Sequence, residues 1–105
     1  FVVCFREDSQ YQSMNYKFFK KRFKRFFYVD RIGVVKGFKN KGLGTFIYSK
    51  IDDICLNKGL PICAEVNIVP INEESIKFHE KMGFSKVSEA YSNPEYGVRY
   101  YEKCM

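Results

Sequence analysis

Two neighbouring stretches of this sequence hold residues able to do chemistry. Lys36, Lys39 and Lys41 surround Gly42-x-Gly44, after a β-branched run and before a helical pattern. A strand, a glycine-containing loop and a helix start in that order make an anion site. Glycine lets backbone approach, and the first N–H groups of the helix point outward at the positive end of its dipole. The three lysines add charge, and the stretch reads as a diphosphate cradle. A lone Gly-x-Gly also marks turns and tight helix packing. Neither G-x-x-x-x-G-K-[ST] nor G-x-G-x-x-G is present.

Asp30 and Arg31 lie side by side in an otherwise apolar strand just upstream. Such charges are costly unless partnered or facing a cleft. Gly33 in the same strand marks a bulge or a close approach to a ligand.

The elements that position these residues follow from periodicity. Phe1–Phe5 reads as a strand. Asn15–Phe26 reads as a helix with Tyr16, Phe19, Phe23 and Phe26 on one face and Lys17, Lys20, Lys21, Lys24 and Arg25 around the rest. It is either a nucleic-acid or membrane-surface helix or, as the favoured reading, an amphipathic helix packed on a sheet. Phe27–Val35 reads as a central strand. Leu43–Lys58 reads as a helix with Leu43, Ile47, Ile51, Ile54 and Cys55 as its stripe, stopped by Gly59. Ile62–Val69 completes a right-handed βαβ crossover with parallel strands. Asn72 caps a third helix that ends at Gly83, and Phe84–Ala90 and Gly97–Lys103 form a hairpin around a turn at Tyr91–Tyr96.

The 105 residues bound a single domain with an aromatic core of 11 Phe and 8 Tyr and no Trp. The net charge of +6 suits an anionic partner. Four cysteines without C-x-x-C, beside one His, give no metal site and read as reduced thiols of a cytoplasmic protein, with Cys55 and Cys63 in the core. No apolar run approaches the roughly 20 residues of a membrane span, and no signal peptide is visible. The chain starts at Phe1 in mid-pattern, which reads as a fragment or processed product. An edge strand at Phe1–Phe5 invites a partner strand, including that of a homodimer.

Taken together, Lys39-Asn40-Lys41-Gly42-Leu43-Gly44, Glu65-Val66-Asn67 and Asn72…Ser75…Phe78-His79…Gly83-Phe84 resemble the GCN5-related N-acetyltransferases (GNAT) over about Phe27 to Val87. The nearest likeness is a bacterial branch of predicted acetyltransferases. Lys39 stands where that family has Gln or Arg, and His79 where it has Tyr. The resemblance implies an α/β (α+β) fold: a mixed, mostly antiparallel sheet with a central, splayed parallel pair and flanking helices. The family's usual N-terminal elements are missing, so residues 1–105 read as a partial domain.

The resemblance also implies an activity, acetyl transfer from acetyl-CoA to a primary amine by direct attack, without a metal. Backbone at Ile32 and Val34 pairs with the pantetheine arm, Lys39, Asn40, Lys41, Gly42, Leu43, Gly44 and Thr45 hold the diphosphate, and Asn72 bonds the arm. Glu65 or Asp30 is the base, or either belongs to a structural ion pair. His79 protonates the leaving thiolate or is a satisfied core residue. The expected partners are CoA and a small-molecule or peptide amine, with no membrane and nucleic acid disfavoured. The alternatives are a non-catalytic CoA-binding domain and, behind it, a basic nucleic-acid-binding domain.

Overall fold

The structure, a computed structural model, describes residues 1–32 and 42–104. The expectations for Gly33, Val34, Lys36, Lys39, Asn40 and Lys41 lie outside the described residues.

Eight elements follow in the order β1 (Val2–Arg6), α1 (Met14–Arg22), β2 (Phe27–Ile32), α2 (Leu43–Lys58), β3 (Ile62–Val69), α3 (Glu73–Lys81), β4 (Ser85–Asn93) and β5 (Tyr96–Lys103). Among the described residues the strands form one sheet in the order β1-β2-β3-β5-β4. Only β2 and β3 run parallel, joined through α2 as the crossover requires; every other neighbouring pair is antiparallel. β3 is the central strand and β2 lies beside it, while β1 forms an edge.

Side chains alternate across each strand, so two cores form. On one face Tyr16 and Phe19 of α1 pack with Tyr28, Cys63, Val98 and Tyr100. On the other, Tyr48, Ile51 and Cys55 of α2 pack with Val29, Ala64, Val66, Phe84 and Tyr101. Helix α1 is only nine residues long, too short to persist alone. Burying Tyr16 and Phe19 contributes about 2 kcal/mol or more each, and Ser13 Oγ caps the helix by accepting from Tyr16 N–H at 3.1 Å.

The expected run of α1 to Phe26 is shortened. The chain turns extended at Phe23, because Phe26 N–H donates to Glu7 Oε1 at 2.9 Å and Phe27 N–H to the Pro61 carbonyl at 2.9 Å. Tyr16 and Phe19 of α1 are buried and the half-buried Phe18 stacks on Tyr100 at 4.2 Å, so the helix packs on the sheet through its aromatics. The stripe of α2 is centred on Tyr48, Ile51 and Cys55, while Leu43 and Ile54 are exposed. The hairpin strands extend past the expected turn, leaving Pro94 and Glu95 between them. Asn93 Oδ1 accepts from Glu95 N–H at 2.8 Å and tightens that turn.

Helices α2 and α3 stop in the same way. Gly59 and Gly83 adopt positive φ. Leu60 N–H reaches the Cys55 carbonyl and Phe84 N–H the His79 carbonyl, each at 3.0 Å. Both following residues, Leu60 and Phe84, are buried. These are Schellman ends, and they fix the axes of both helices against the sheet. No helix among the described residues is long and apolar enough to cross a membrane.

Candidate active site

The site begins where the parallel ladder ends. β2 and β3 pair through Phe27↔Ile62, Tyr28↔Cys63 and Val29↔Ala64, yet β2 runs on to Ile32 and β3 to Val69. On the other edge of β2, Val3 faces Arg31 and Cys4 faces Val29, so Asp30 is the extra residue of a bulge. A bulge bends its strand and adds twist. Here it sits at the residue where β2 leaves β3, one step past the last parallel pair.

A cavity of about 240 Å³ fills the wedge between the strands. Asp30, Arg31 and Ile32 line it from β2, Glu65, Val66 and Asn67 from β3, Tyr48 from α2, and Asn72, Ser75 and His79 from the start and inner face of α3. Ile32, expected to offer backbone to a ligand, is at its wall. By strand alternation Asp30 and Glu65 belong to the α1 side, whereas Tyr48 and His79 pack on the α2–α3 side. The opening therefore passes through the sheet with carboxylates on one side and a phenol–imidazole pair on the other.

Glu65 Oε2 accepts a hydrogen bond from the Tyr28 hydroxyl at 2.6 Å. Burial pushes the Glu65 carboxyl up to about 7, with the Asp30 charge adding, against the opposing hydrogen bonds from Tyr28 and Asn15. Burial likewise raises the Tyr28 phenol, which stays a donor. Asp30 is more committed: Oδ1 accepts from the Tyr11 hydroxyl at 2.9 Å and Oδ2 from Arg31 Nε at 3.1 Å. The two expected bases thus sit at one cavity with unequal freedom.

His79 is 4% exposed. Its Nδ1–H donates to the Ser75 carbonyl at 2.8 Å, and Nε2 accepts from the Tyr48 hydroxyl at 2.8 Å. Burial lowers its pKa, so the ring rests neutral. The same burial raises the Tyr48 phenol. Asn72 Oδ1 caps α3 by accepting from Ser75 N–H at 3.1 Å, which leaves its amide N–H₂ beside the cavity.

At the start of α2, Gly42 has φ +78° in open space, and a Cβ on Gly44 meets Phe78 Cζ at 3.3 Å. The first glycine serves the backbone, the second lets α2 lie close to α3. Leu43, Gly44 and Thr45 hold first-turn N–H groups, which have no intrahelical acceptor. Tyr28 and Tyr48 were not marked as site residues by sequence reasoning, and Asn67 entered only as part of the Glu65-Val66-Asn67 run, with no role of its own. Tyr48 does fall three before Ile51 and seven before Cys55, a helical spacing that puts it on the buried face.

The family model for the acetyltransferase (GNAT) family matches residues 2–84. The chain belongs to that family. No curated protein matches it. Among solved structures, this GNAT chain is similar to Arabidopsis thaliana Naa50 in complex with the bisubstrate analogue CoA-Ac-MVNAL. The TM-score is 0.72 at 21% identity, covering 99% of this chain and 64% of the other. It is similar to the NatC complex bound to Gag peptide and CoA, with TM-score 0.72, 14% identity, and 99% and 59% coverage. It is also similar to Arabidopsis thaliana NAA60 in complex with acetyl-CoA, with TM-score 0.63, 13% identity, and 99% and 63% coverage. At these identities the likeness is one of fold, the mixed sheet with a single parallel pair. The chain spans about three fifths of the length of these structures.

Proposed function

We propose that this protein is an acetyl-CoA-dependent N-acetyltransferase that moves an acetyl group to a primary amine by direct attack. The observation that carries the reading is the wedge between β2 and β3, open through the sheet, with Glu65 on one side and Tyr48, His79 and Asn72 on the other. Family membership and the CoA, acetyl-CoA and bisubstrate ligands of the similar structures support it.

In this reading the pantetheine arm enters the wedge as an extra strand. It pairs with backbone at Ile32 and Val34 and meets the Asn72 amide. The diphosphate rests on the N–H groups of Gly42 to Thr45, with Lys39, Asn40 and Lys41 beside it. The thioester then lies in the wedge, where a backbone N–H polarises its carbonyl.

Glu65 is the base. An alkyl ammonium loses its proton near 10.4, about six units above an ordinary Glu, and a carboxyl raised to about 7 halves that gap. Through one water Glu65 takes the ammonium proton and passes it to solvent, the neutral nitrogen attacks the carbonyl carbon and gives its next proton to Glu65 by the same water, and the C–S bond breaks with its electron pair on sulfur. Asp30, held by Tyr11 and Arg31, contributes the charge that helps keep Glu65 high.

A second reading, a CoA-binding domain without turnover, draws on the engagement of both His79 ring nitrogens. Thiol release from acetyl-CoA, measured against amino acids, polyamines and short peptides, separates the two. Amine-dependent release that disappears in Glu65→Gln is the expected result. Bound acetyl-CoA with no release for any primary amine gives the second reading.

A further inference from the structure

His79 occupies the position where the resemblance leads one to expect the proton donor to the leaving group. In the structure its protons are not available to the wedge. The one at Nδ1 is held by the Ser75 carbonyl inside α3, and Nε2 is an acceptor, filled by the Tyr48 hydroxyl. Of the two groups in that hydrogen bond, Tyr48 carries the proton, and Tyr48 also lines the cavity with Val29, Ala64 and His79.

We infer that Tyr48 is the catalytic acid that protonates the departing thiolate, and that His79 is its positioning residue. The inference rests on the proposed acetyl transfer. Tyr48 is locked in place. Its ring lies against Phe78 at 5.6 Å, His79 at 5.4 Å and Phe84 at 5.5 Å, and it is 1% exposed. A phenol has one rotatable proton and two lone pairs, so the hydroxyl can leave Nε2 for a stronger acceptor without moving the ring. A sulfur that gains an electron pair is such an acceptor, because hydrogen bonds to an ionised partner are about twice as strong as neutral ones.

The step balances as follows. The C–S bond breaks and its electron pair goes to sulfur. The Tyr48 proton passes to sulfur to give the free thiol, and the phenolic oxygen regains a proton from solvent. Counted from the neutral amine, Glu65 has meanwhile taken the one proton that the attacking nitrogen sheds, and it returns that proton to solvent. The net change is one proton moved from nitrogen to sulfur. His79 takes no part in bond making. Its neutral Nε2 holds the hydroxyl at the wedge between turnovers, and the Ser75 carbonyl fixes the tautomer that leaves Nε2 as the acceptor.

The test compares the intact chain with Tyr48→Phe, His79→Gln, His79→Leu and the double variant Tyr48→Phe/His79→Leu. The measurements are kcat for thiol release, Kd for acetyl-CoA by titration calorimetry, and the melting curve of each. Tyr48→Phe is expected to lower kcat about 10²-fold with Kd changed by no more than about threefold. His79→Leu is expected to match it. His79→Gln, whose side-chain carbonyl accepts from Tyr48, is expected to stay within about fivefold of the parent. The double variant is expected to be no slower than Tyr48→Phe alone.

Parental kcat in Tyr48→Phe overturns the inference, as does a further large loss when His79→Leu is added to it, since His79 then acts directly. If Tyr48→Phe melts before assay, the His79 pair decides: equal losses in Gln and Leu contradict a positioning role. A parent that binds no acetyl-CoA and releases no thiol overturns the acetyl-transfer reading and this inference together. An active parent with an unimpaired Tyr48→Phe overturns this inference only.

Discussion

The Tyr28 hydroxyl, within the parallel ladder of β2 and β3, donates at 2.6 Å to Oε2 of Glu65, the first β3 residue beyond its last pair. The bond joins the two strands on the α1 side where their backbones part. It orients a carboxylate that burial keeps half protonated near neutral pH.

With the free-base amine held constant, kcat/KM is expected to rise with pH through about 7, as Glu65 ionises in the free enzyme. Glu65→Gln is expected to lose that limb and about 10²-fold or more in rate. An unchanged limb in the variant places the titration on another group.

Stability carries the opposite sign. The folded Glu65 titrates at about 7 against 4.5 for the ordinary group. Between those values the folded state binds more protons than the unfolded chain, so raising pH favours unfolding. From pH 4 to pH 8 this one group removes about 3 kcal/mol. Denaturant melts of the parent and Glu65→Gln at both pH values are expected to show the variant gaining by that order at pH 8, with the Tyr28 bond kept by its amide oxygen. Parallel stability curves contradict the raised pKa.

Asn72 caps α3 through Oδ1 and lines the cavity, where the proposed reaction uses its amide as a donor. Asn72→Asp keeps the cap and is expected to melt like the parent, with a KM for acetyl-CoA raised several-fold. Asn72→Ala loses both and is expected to be about 1 kcal/mol less stable as well. Calorimetric melts with initial rates check the split, and an unchanged KM in Asn72→Asp removes the donor role.

Much of this was legible in the chain because local rules decided it. Gly59 and Gly83 ended their helices, Asn72 began one, and β2–α2–β3 formed the crossover. Helix α1 shows where such rules stop. Its aromatic period continues to Phe26, but Glu7 and Pro61, far off in sequence, take the backbone N–H groups that follow Arg25. The site was half legible. Glu65, Asp30, Asn72 and His79 all line the cavity. What Glu65 and His79 can do depends on a hydrogen bond from a residue distant in sequence, Tyr28 to Glu65 and Tyr48 to His79. A tyrosine at helical spacing reads as core, and Tyr48 is core as well as cavity wall. The bulge at Asp30 was hidden for the same reason, since register with β1 is a property of two strands.

The central claim is that acetyl-CoA binds in the wedge with its diphosphate at the start of α2. Calorimetric titration of the intact chain, Gly42→Ala and Gly42→Glu measures it directly. Both variants bear the same strain at φ +78°, so the alanine variant isolates the effect of the added carboxylate. The account predicts micromolar binding by the parent, binding within about tenfold for Gly42→Ala, and none for Gly42→Glu. Equal binding by all three, or none by the parent, contradicts it.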